Sequence, residues 1–329
     1  MNSPLTIVMY HYVRNLGRSR YPAIKGLDTE LFRGQLAYFA RHYSVVGMEE
    51  VIAAVNGEPE ALPPQPLLLT FDDGYIDHFT NVLPLLAEHG MQGSFFPPAK
   101  AIEEGQVLDV NKLHFVLASV DHPDTIVDFL FDALDGIRKE HDLPPNQALF
   151  DRLSRDGRYD DPSTLFVKRL LQRELPERVR AELTDALFRR FVTADEAAFS
   201  AELYMNPDQL RYMRHAGMFL GSHGHDHYWM NTLCEQAQRR EVELSLAFLE
   251  RLGVDLRQWV MCYPYGGYNA SLLNVLRDYD CALGLTTEVT LADLGRHDRL
   301  ALPRLDTNDL PKQADAAPGQ WTLKATHGG

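Results

Sequence analysis

The sequence is poor in cysteine and contains no long apolar run. Its three cysteines, Cys234, Cys262 and Cys281, show no metal-binding spacing and are odd in number, which favours a reducing compartment over a disulfide framework. No apolar run approaches the roughly 18 residues that a membrane-spanning helix needs. The N-terminal stretch "MNSPLTIVMYHYV" also lacks the basic start of a signal peptide. We therefore predict a cytoplasmic protein that does not span a membrane.

Positive charge is scarce as well. Lysine and arginine number 32 against 46 aspartates and glutamates, so the formal net charge is −14. An acidic surface does not attract phosphate backbones, and we expect no nucleic acid among the partners. The remaining composition, 45% hydrophobic and 24% charged over 329 residues, is that of a globular protein with a large core. The oligomeric state does not follow from it.

Strand-like apolar runs alternate with amphipathic helical patterns in two parts of the chain. The runs are "LTIVMY" at 5–10, "LLLTF" at 67–71, "GSFF" at 93–96, "MFLGS" at 218–222, "WVMCY" at 259–263 and "CALGLTT" at 281–287. Strands that are apolar on both faces are typical of parallel sheets covered by helices. The alternation predicts an α/β fold with a parallel, barrel-like sheet.

The alternation is interrupted between residues 102 and 205, where the periodicity is helical throughout. We predict a barrel domain over 1–310 with this stretch as a helical insertion, and 311–329 as a C-terminal tail without a core pattern. Two functions of the insertion are open. Together with Tyr21 and Lys25 it either covers the barrel and selects the substrate or forms an oligomer surface.

Three polar clusters follow three of the predicted strands. They are "TFDDGY" at 70–75, "SHGHDHY" at 222–228 and "YPYGGYN" at 263–269. In α/β barrels the chemistry gathers at the carboxyl ends of the strands, so we expect the clusters to meet. Taken alone, each has a plainer interpretation. The Asp-Gly pair is common in turns, and the histidines would then belong to an exposed loop.

His223 and His227 lie four residues apart and are able to face a common point on one helical turn or in a tight loop. One added carboxylate completes a site of two histidines and one carboxylate with open positions for a metal. Asp72 and Asp73 are adjacent, so on extended chain one of them binds the metal while the other approaches a water. His225 is a further, less favoured ligand candidate.

Together these motifs, with "MYHYV", "GSFF" and "LPRLD", resemble the polysaccharide deacetylase family, the NodB-like enzymes of carbohydrate esterase family 4. The resemblance covers about 1–100 and 205–310. It implies a distorted (β/α) barrel of seven or eight strands. It also implies a hydrolase that removes the N-acetyl group from an amino sugar with the help of a divalent metal, commonly zinc, with cobalt, nickel, manganese and iron as alternatives.

The resemblance also implies roles for individual residues. Asp73, His223 and His227 would bind the metal, and Asp72 would be the base that takes a proton from the attacking water. The backbone N–H of Tyr265 would stabilise the oxyanion. Pro264 would fix the local chain geometry, and Gly266 and Gly267 would leave room for the sugar.

Two positions depart from the family pattern. The family often has an arginine two residues before the proline, where it orients the base, and this chain has Cys262. The last motif is usually Leu-x-His, whose histidine is the general acid, and this chain has Arg304. We assign Arg304 either to orienting a carboxylate or to a surface salt bridge. His11, after the first strand, either faces the site or is a core histidine, so the general acid is unassigned.

The predicted function is therefore N-deacetylation of a sugar or glycan precursor, in the biosynthesis of a surface polysaccharide. Three alternatives stay open. A non-haem iron oxygenase shares the two-histidine, one-carboxylate set, although such sites usually lie on all-β scaffolds. A non-catalytic sugar-binding homologue would explain Cys262 and the missing acid but does not need Asp72. A metal-independent amidohydrolase of similar fold would not need the complete ligand set.

Overall fold

The computed structural model of the chain describes residues 4–155 and 160–327. The strands in this part of the chain are β1 Thr6–Tyr10, β2 Val13–Arg14, β3 Leu27–Asp28, β4 Ser44–Val46, β5 Pro66–Asp72, β6 Ser94–Phe96, β7 Phe219–Leu220, β8 Val260–Cys262, β9 Leu283–Leu285 and β10 Leu305–Asp306. Every ladder between them is parallel.

Helices connect the strands. The α-helices are α1 Thr29–His42, α2 Met48–Val55, α3 Leu83–His89, α4 Ala99–Glu103, α5 Asp109–Ala118, α6 Asp124–His141, α7 Asn146–Leu153, α8 Pro162–Arg169, α9 Glu177–Phe191, α10 Glu196–Leu203, α11 Pro207–His215, α12 Glu235–Arg251, α13 Ala270–Asp278 and α14 Gln320–His327. Among the described residues, no helix combines the length and hydrophobicity that a membrane crossing requires.

The central strand is β5, which is buried at all seven positions. It pairs with β1 along one edge and with β4 and then β6 along the other. The sheet continues from β1 to β10 and from β6 to β7, while β8 and β9 form a separate pair. Because this strand is covered on both faces, its run of leucines contributes to the core without exposing apolar surface.

The continuous ladders do not close into a barrel. Isolated parallel bridges lie in the two gaps, from Ser222 to Met261 beside β7 and β8, and from Leu285 to Leu302 beside β9 and β10. The predicted α/β class with a distorted parallel barrel is confirmed in this form. The strands that the apolar runs predict are present, although several are only two or three residues long.

Helix ends follow the capping patterns in the sequence. The Asp28 side chain accepts a hydrogen bond from the Glu30 N–H at the start of α1. Asn206 and Gln209 cap each other at the start of α11, with Pro207 as its first residue. These side chains satisfy N–H groups that have no partner inside the helix.

A second compact unit comprises Leu16–Lys25 and Val107–Phe199. Its regular elements, within residues 16–25, 107–155 and 160–199, are helical. Buried Lys112 on α5 pairs with Asp185 at 2.5 Å and with Glu196 at 2.9 Å. Tyr21 packs edge-on against Phe115, and Lys25 pairs with Asp160. The predicted alternatives for this segment, substrate selection or oligomer contact, stay predictions.

The C-terminal stretch differs from the predicted tail. It ends in α14, on which the Thr322 hydroxyl contacts the Tyr38 and Tyr43 hydroxyls, both at 2.8 Å, and Ala325 is buried. The half-buried Trp321 packs against the core, and buried Thr322 and Ala325 complete the contact. That combination carries little periodic signal in the sequence.

Candidate active site

Two adjacent aspartates lie at the end of β5, Asp72 inside the strand and Asp73 directly after it, and their carboxylates have different partners. Asp72 is the last residue of the strand. Asp73 has a left-handed φ of 72°, and its N–H bonds the carbonyl of Phe96 at 3.1 Å. Gly74 also has a positive φ, and a Cβ there would lie 2.8 Å from the Cβ of Pro97, so the turn requires glycine. The sharp turn gives each carboxylate its own surroundings.

Asp73 meets two histidines from the loop after β7. Its Oδ1 atom lies 3.4 Å from the Nε2 atom of His223 and 3.3 Å from the Nε2 atom of His227. All three residues are buried, and their ligand atoms lie within 4.8 Å of one another. His225 is outside this group and contacts Asp226 through its Nδ1 atom. The three residues predicted as metal ligands therefore converge.

The donor set fits a divalent metal. Within the described residues the Asp73 Oδ1 atom is buried without a hydrogen-bond partner, which is costly for a carboxylate oxygen. The other oxygen, Oδ2, accepts a hydrogen bond of 2.5 Å from the Tyr75 hydroxyl. The Nδ1 atom of His223 bonds the carbonyl of Cys262 at 2.8 Å, which leaves Nε2 to face Oδ1. A cation at this point would satisfy the orphaned oxygen.

The protonation states of the three ligand candidates depend on burial and on the charges around them. Burial alone would raise the pKa of Asp73, but the imidazoles of His223 and His227 hold it well below its usual value. Burial lowers the pKa of His227, which favours the neutral ring that a metal binds. At His223 the effect of burial is outweighed by Cys262 and Asp73, which raise its pKa well above the usual value, so this ring has to release a proton when a metal binds. An ionised carboxylate beside a neutral imidazole is the protonation state that metal binding needs.

Asp72 has a different partner, Arg304. The two side chains form a bidentate ion pair, with Nη1 to Oδ1 at 2.9 Å and Nη2 to Oδ2 at 2.8 Å. Arg304 is anchored by its Nε–H to the Thr286 carbonyl at 2.8 Å and by Nη1 to the Thr70 hydroxyl at 3.2 Å. The thiol of Cys262 lies 3.3 Å from Oδ1 of Asp72.

This ion pair is in the interior. The side chains of Arg304 and Asp72 are 0% and 2% exposed, which contradicts the surface salt bridge and supports the orienting arginine of the sequence analysis. Burial by itself raises the pKa of Asp72, but the Arg304 charge outweighs it and lowers this pKa to about 2. Asp72 is therefore ionised at neutral pH.

The turn after β8 lies beside the histidines. Tyr265, inside the short turn Pro264–Gly266, has a left-handed φ of 57°. Its ring packs edge-on against His227, with ring centroids 4.7 Å apart. It also stacks on Trp229 at 4.5 Å and an interplanar angle of 3°. The residue predicted to stabilise the oxyanion is therefore next to a metal-ligand candidate.

Gly266 is required by contacts within the chain. Its φ is positive, and a Cβ would lie 2.2 Å from the hydroxyl oxygen of Thr287. For Gly267 a Cβ would lie 2.9 Å from the side-chain oxygen of Asn231. The missing Cβ atoms of Gly266 and Gly267 allow neighbouring loops of the same protein to pack closely. Glycine is therefore required by these contacts, and not by the predicted room for a sugar. Pro264 is buried.

His11 follows β1 and is half-buried. The β1–β5 ladder pairs Tyr10 with Phe71, so His11 and Asp72 are the next residues along the two strands. A protonated His11 would help to lower the pKa of both aspartates, Asp72 and Asp73. These relations favour the site-facing alternative over a core histidine.

Two further groups have donor atoms at metal-binding distances from one another. In the first, Asp72, His223 and Cys262, the carboxylate is already neutralised by Arg304, and burial raises the pKa of the thiol, which keeps it protonated. A protonated thiol is a poor ligand. The second group, His225, Asp226 and Glu241, is described below. Asp73, His223 and His227 are therefore the strongest candidate set.

Sequence reasoning missed two residues that support the ligands, Tyr75 and Glu241. Tyr75 could have been identified from the sequence, since it is the tyrosine of "TFDDGY", two residues after Asp73. Glu241 had no such signal, because it is one of several glutamates on the amphipathic helix α12.

Comparison with known families finds a match over much of the chain. A model described as polysaccharide deacetylase matches residues 60–128 and 174–284, which together are more than half of the chain. These ranges include all three metal-ligand candidates and Asp72. A comparison with curated protein sequences found no match.

Solved structures share the fold. The Streptococcus pyogenes deacetylase PplD in complex with acetate has a TM-score of 0.58 and 17% identity, covering 93% of each chain. A de-N-acetylase from Aggregatibacter actinomycetemcomitans has a TM-score of 0.55 and 15% identity, covering 98% of this chain and 99% of that one. IcaB from Ammonifex degensii has 0.54 and 18%, covering 99% and 98%. Identities this low show a common fold only.

The buried pair gives a stability prediction. Arg304→Met keeps volume but leaves the Asp72 charge buried and unpaired, so we expect the free energy of unfolding to fall by about 3–5 kcal/mol. Urea denaturation of the metal-free protein measures it. Adding Asp72→Asn should recover part of the loss, and Arg257→Met, which removes an exposed pair with Asp255, should change little. An Arg304 variant as stable as the wild type would contradict the prediction.

The same pair fixes a pH dependence. The pKa of Asp72 is about 2 in the folded protein against an ordinary 3.8. Because the folded value is the lower one, this contribution to stability is present above pH 3.8 and is lost as the pH falls through about 2. The Arg304→Met protein should lack this component of acid sensitivity.

Proposed function

The chain belongs to the polysaccharide deacetylase family, and from this premise we propose that it is a metal-dependent hydrolase. It would cleave the N-acetyl amide of an amino sugar within a glycan or glycan precursor, giving acetate and a free amine. The observation that carries the proposal is that His223 and His227 converge on the Oδ1 atom of Asp73, which is buried without a hydrogen-bond partner among the described residues. Beside it lies a second carboxylate, that of Asp72, which is paired with Arg304.

Asp73, His223 and His227 would hold the metal. Two nitrogens and one oxygen, with a further position open, are the ligand set of catalytic zinc sites, so zinc is our first choice; cobalt, nickel, manganese and iron are the alternatives. When bound, such an ion polarises a carbonyl and lowers the pKa of a water ligand from 15.7 to about 7.

Asp72 would act as the base. Since Arg304 keeps it ionised, it is ready at neutral pH to accept a proton from the water that attacks the amide carbonyl carbon. Arg304 also holds both carboxylate oxygens by a rigid, two-point contact, which limits rotation of the base. A positioned base of this kind contributes about 10²–10⁴-fold to the rate.

Arg304 would take the role that the family assigns to an arginine before the proline. It reaches Asp72 from a different part of the chain, and Cys262, at the usual arginine position, is a small neutral neighbour of the same carboxylate. The missing arginine before the proline was one argument for a non-catalytic homologue. Because Arg304 would supply the guanidinium instead, that argument loses its force. The parallel α/β fold likewise disfavours an oxygenase.

His11 would be the general acid. Arg304 occupies the usual place of the acidic histidine but stays charged, because a guanidinium does not lose its proton in proteins. His11 is the next residue in register to Asp72 and is partly open to solvent. It would donate a proton to the amide nitrogen as the C–N bond breaks, so that the amine leaves neutral. The Tyr265 N–H would stabilise the oxyanion.

The particular substrate stays a prediction. A precursor of a surface polysaccharide and a cytoplasmic location are both consistent with the proposal. Acetate release from a panel of free, nucleotide-linked and polymeric N-acetyl sugars, together with cell fractionation, tests them.

The metal assignment predicts distinct behaviour of neighbouring histidines. His223→Ala removes a ligand, so bound zinc should fall to a small fraction of one per chain and activity should be lost. His225→Ala should keep about one metal per chain, since this ring faces Asp226. Elemental analysis after dialysis measures both. Full metal occupancy in the His223→Ala protein would refute the ligand set.

The base assignment predicts lost turnover with intact metal binding. Asp72→Asn keeps shape and can still bond Arg304 but no longer accepts a proton, so kcat should fall by about 10²–10⁴-fold. Acetate release by metal-loaded protein and metal content are measured together. Equal rates would remove Asp72 from the mechanism. Lost metal would mean that the two aspartates have the opposite roles.

The acid assignment predicts a dependence on the leaving group. In the His11→Gln protein, kcat for an N-acetyl sugar should fall by about 10²–10⁴-fold, because an amine leaves poorly without a proton. An acetate ester of a nitrophenol needs no such proton, so its hydrolysis should fall much less. His215→Gln, at an exposed position, is the matched control. Equal losses on both substrates would exclude a proton-donating role.

A further inference from the structure

A buried glutamate lies against the loop that carries both histidine ligands. Glu241 is on α12 and is 4% exposed. Its Oε2 atom accepts hydrogen bonds from the backbone N–H groups of His225, at 3.0 Å, and Asp226, at 2.9 Å. These two amides lie between the ligand candidates His223 and His227, so one carboxylate oxygen holds the middle of the segment that joins them.

The loop depends on contacts with neighbouring segments because its own geometry is unusual. Gly224 and His227 both have left-handed backbone, with φ of 73° and 59°. For a residue with a Cβ this conformation costs of order 1–3 kcal/mol and persists only where surrounding contacts impose it. On the other side of the loop, the N–H groups of Ala99 and Lys100 bond the carbonyls of Gly224 and His225 at 3.2 and 3.1 Å.

The charges of this cluster argue against a second metal centre. His225, Asp226 and Glu241 have donor atoms close enough to share an ion. However, the Lys100 ammonium already contacts the Oδ1 atom of Asp226 at 2.5 Å, and the Nδ1 atom of His225 lies 3.1 Å from its Oδ2 atom. A cation beside Lys100 would be repelled, while the Glu241 oxygen is already engaged by two amides.

We infer that Glu241 is a positioning residue for the metal site: it fixes the backbone between His223 and His227 so that both Nε2 atoms face Asp73. The inference rests on the proposed function, since it assumes that these residues bind a metal. Groups of this kind, which touch no metal but orient its ligands, typically contribute 10–100-fold to metal affinity.

Two substitutions at this position test it. Glu241→Met keeps the length of the side chain but accepts no hydrogen bond, so zinc affinity, measured by competition with a chromophoric chelator, should fall roughly 10–100-fold. Glu241→Gln keeps an acceptor without the charge, and neutral hydrogen bonds are about half as strong. Because burial raises the pKa of Glu241 to about 7, the comparison is made at pH 8, where the carboxylate is mostly ionised, and the affinity of this variant should lie between the other two. Glu250→Met and Glu250→Gln, at an exposed position on α12, are matched controls and should equal the wild type.

Amide hydrogen exchange of the metal-free protein gives a second measurement that needs neither metal nor activity. Exchange in a peptide covering 222–228 should be faster in Glu241→Met and, to a smaller degree, in Glu241→Gln, while the strand peptides stay unchanged. If the Met variant does not fold, the Gln variant alone decides, and unchanged exchange and affinity in it would overturn the inference.

The outcomes separate this inference from the proposed function. A wild-type protein that binds none of zinc, cobalt, nickel, manganese and iron would refute the metal-dependent function and with it the role of Glu241 in metal affinity, even if the exchange result shows that Glu241 holds the loop. Zinc binding of equal strength in the wild type and Glu241→Met would overturn the inference alone. A second zinc in the wild type that is lost in Glu241→Gln would also overturn it, in favour of a metal at Glu241.

Discussion

Two adjacent carboxylates are buried at the end of the central strand, and each needs a compensating positive group. An ionised carboxylate in a low-dielectric interior is costly unless it is paired. Asp72 is compensated by the Arg304 guanidinium through both oxygens. Asp73 has one oxygen satisfied by Tyr75, and the other lies near two imidazole nitrogens and has no hydrogen-bond partner in the described part of the chain. The same constraint thus produces an ion pair on one side of the turn and a metal-ligand arrangement on the other.

Arg304 brings a guanidinium to Asp72 from a different part of the chain than the arginine that the family resemblance would place before Pro264. Asp72 needs one guanidinium, and Arg304 reaches it from the segment before β10. A second arginine at position 262 would place two like charges around one carboxylate, since the Cys262 thiol is already 3.3 Å from it. A small neutral residue there is therefore the natural complement of Arg304. Arg304 stands where the usual last motif has its acidic histidine, so in the proposed mechanism the proton would come from His11, after β1.

The sequence was informative where function depends on local patterns. The apolar runs predicted the strands, and the polar residues directly after them predicted which strand ends form the site, because parallel strands deliver their carboxyl ends to one side. The Asp72–Arg304 pair was open between two alternatives, since its members are 232 positions apart and no pattern specifies the pairing. Glu241 and α14 were missed for a related reason. Glu241 accepts hydrogen bonds from two backbone amides of another loop, and Thr322 on α14 hydrogen-bonds two tyrosine hydroxyls. Such tertiary contacts leave no periodic pattern in the sequence.

Three of the non-glycine residues with left-handed backbone, Asp73, His227 and Tyr265, belong to three different loops of the candidate site. Strained conformations of this kind persist only where the surrounding structure imposes them. Here the constraints come from the protein itself. The Phe96 carbonyl holds the N–H of Asp73, and Glu241 binds the neighbouring amides of the histidine loop. Tyr265 stacks on Trp229 and packs edge-on against His227. These contacts within the protein supply part of the free energy of ordering the ligand loops. The affinity for a metal would then depend mainly on the ligands and on the contacts that hold their loops.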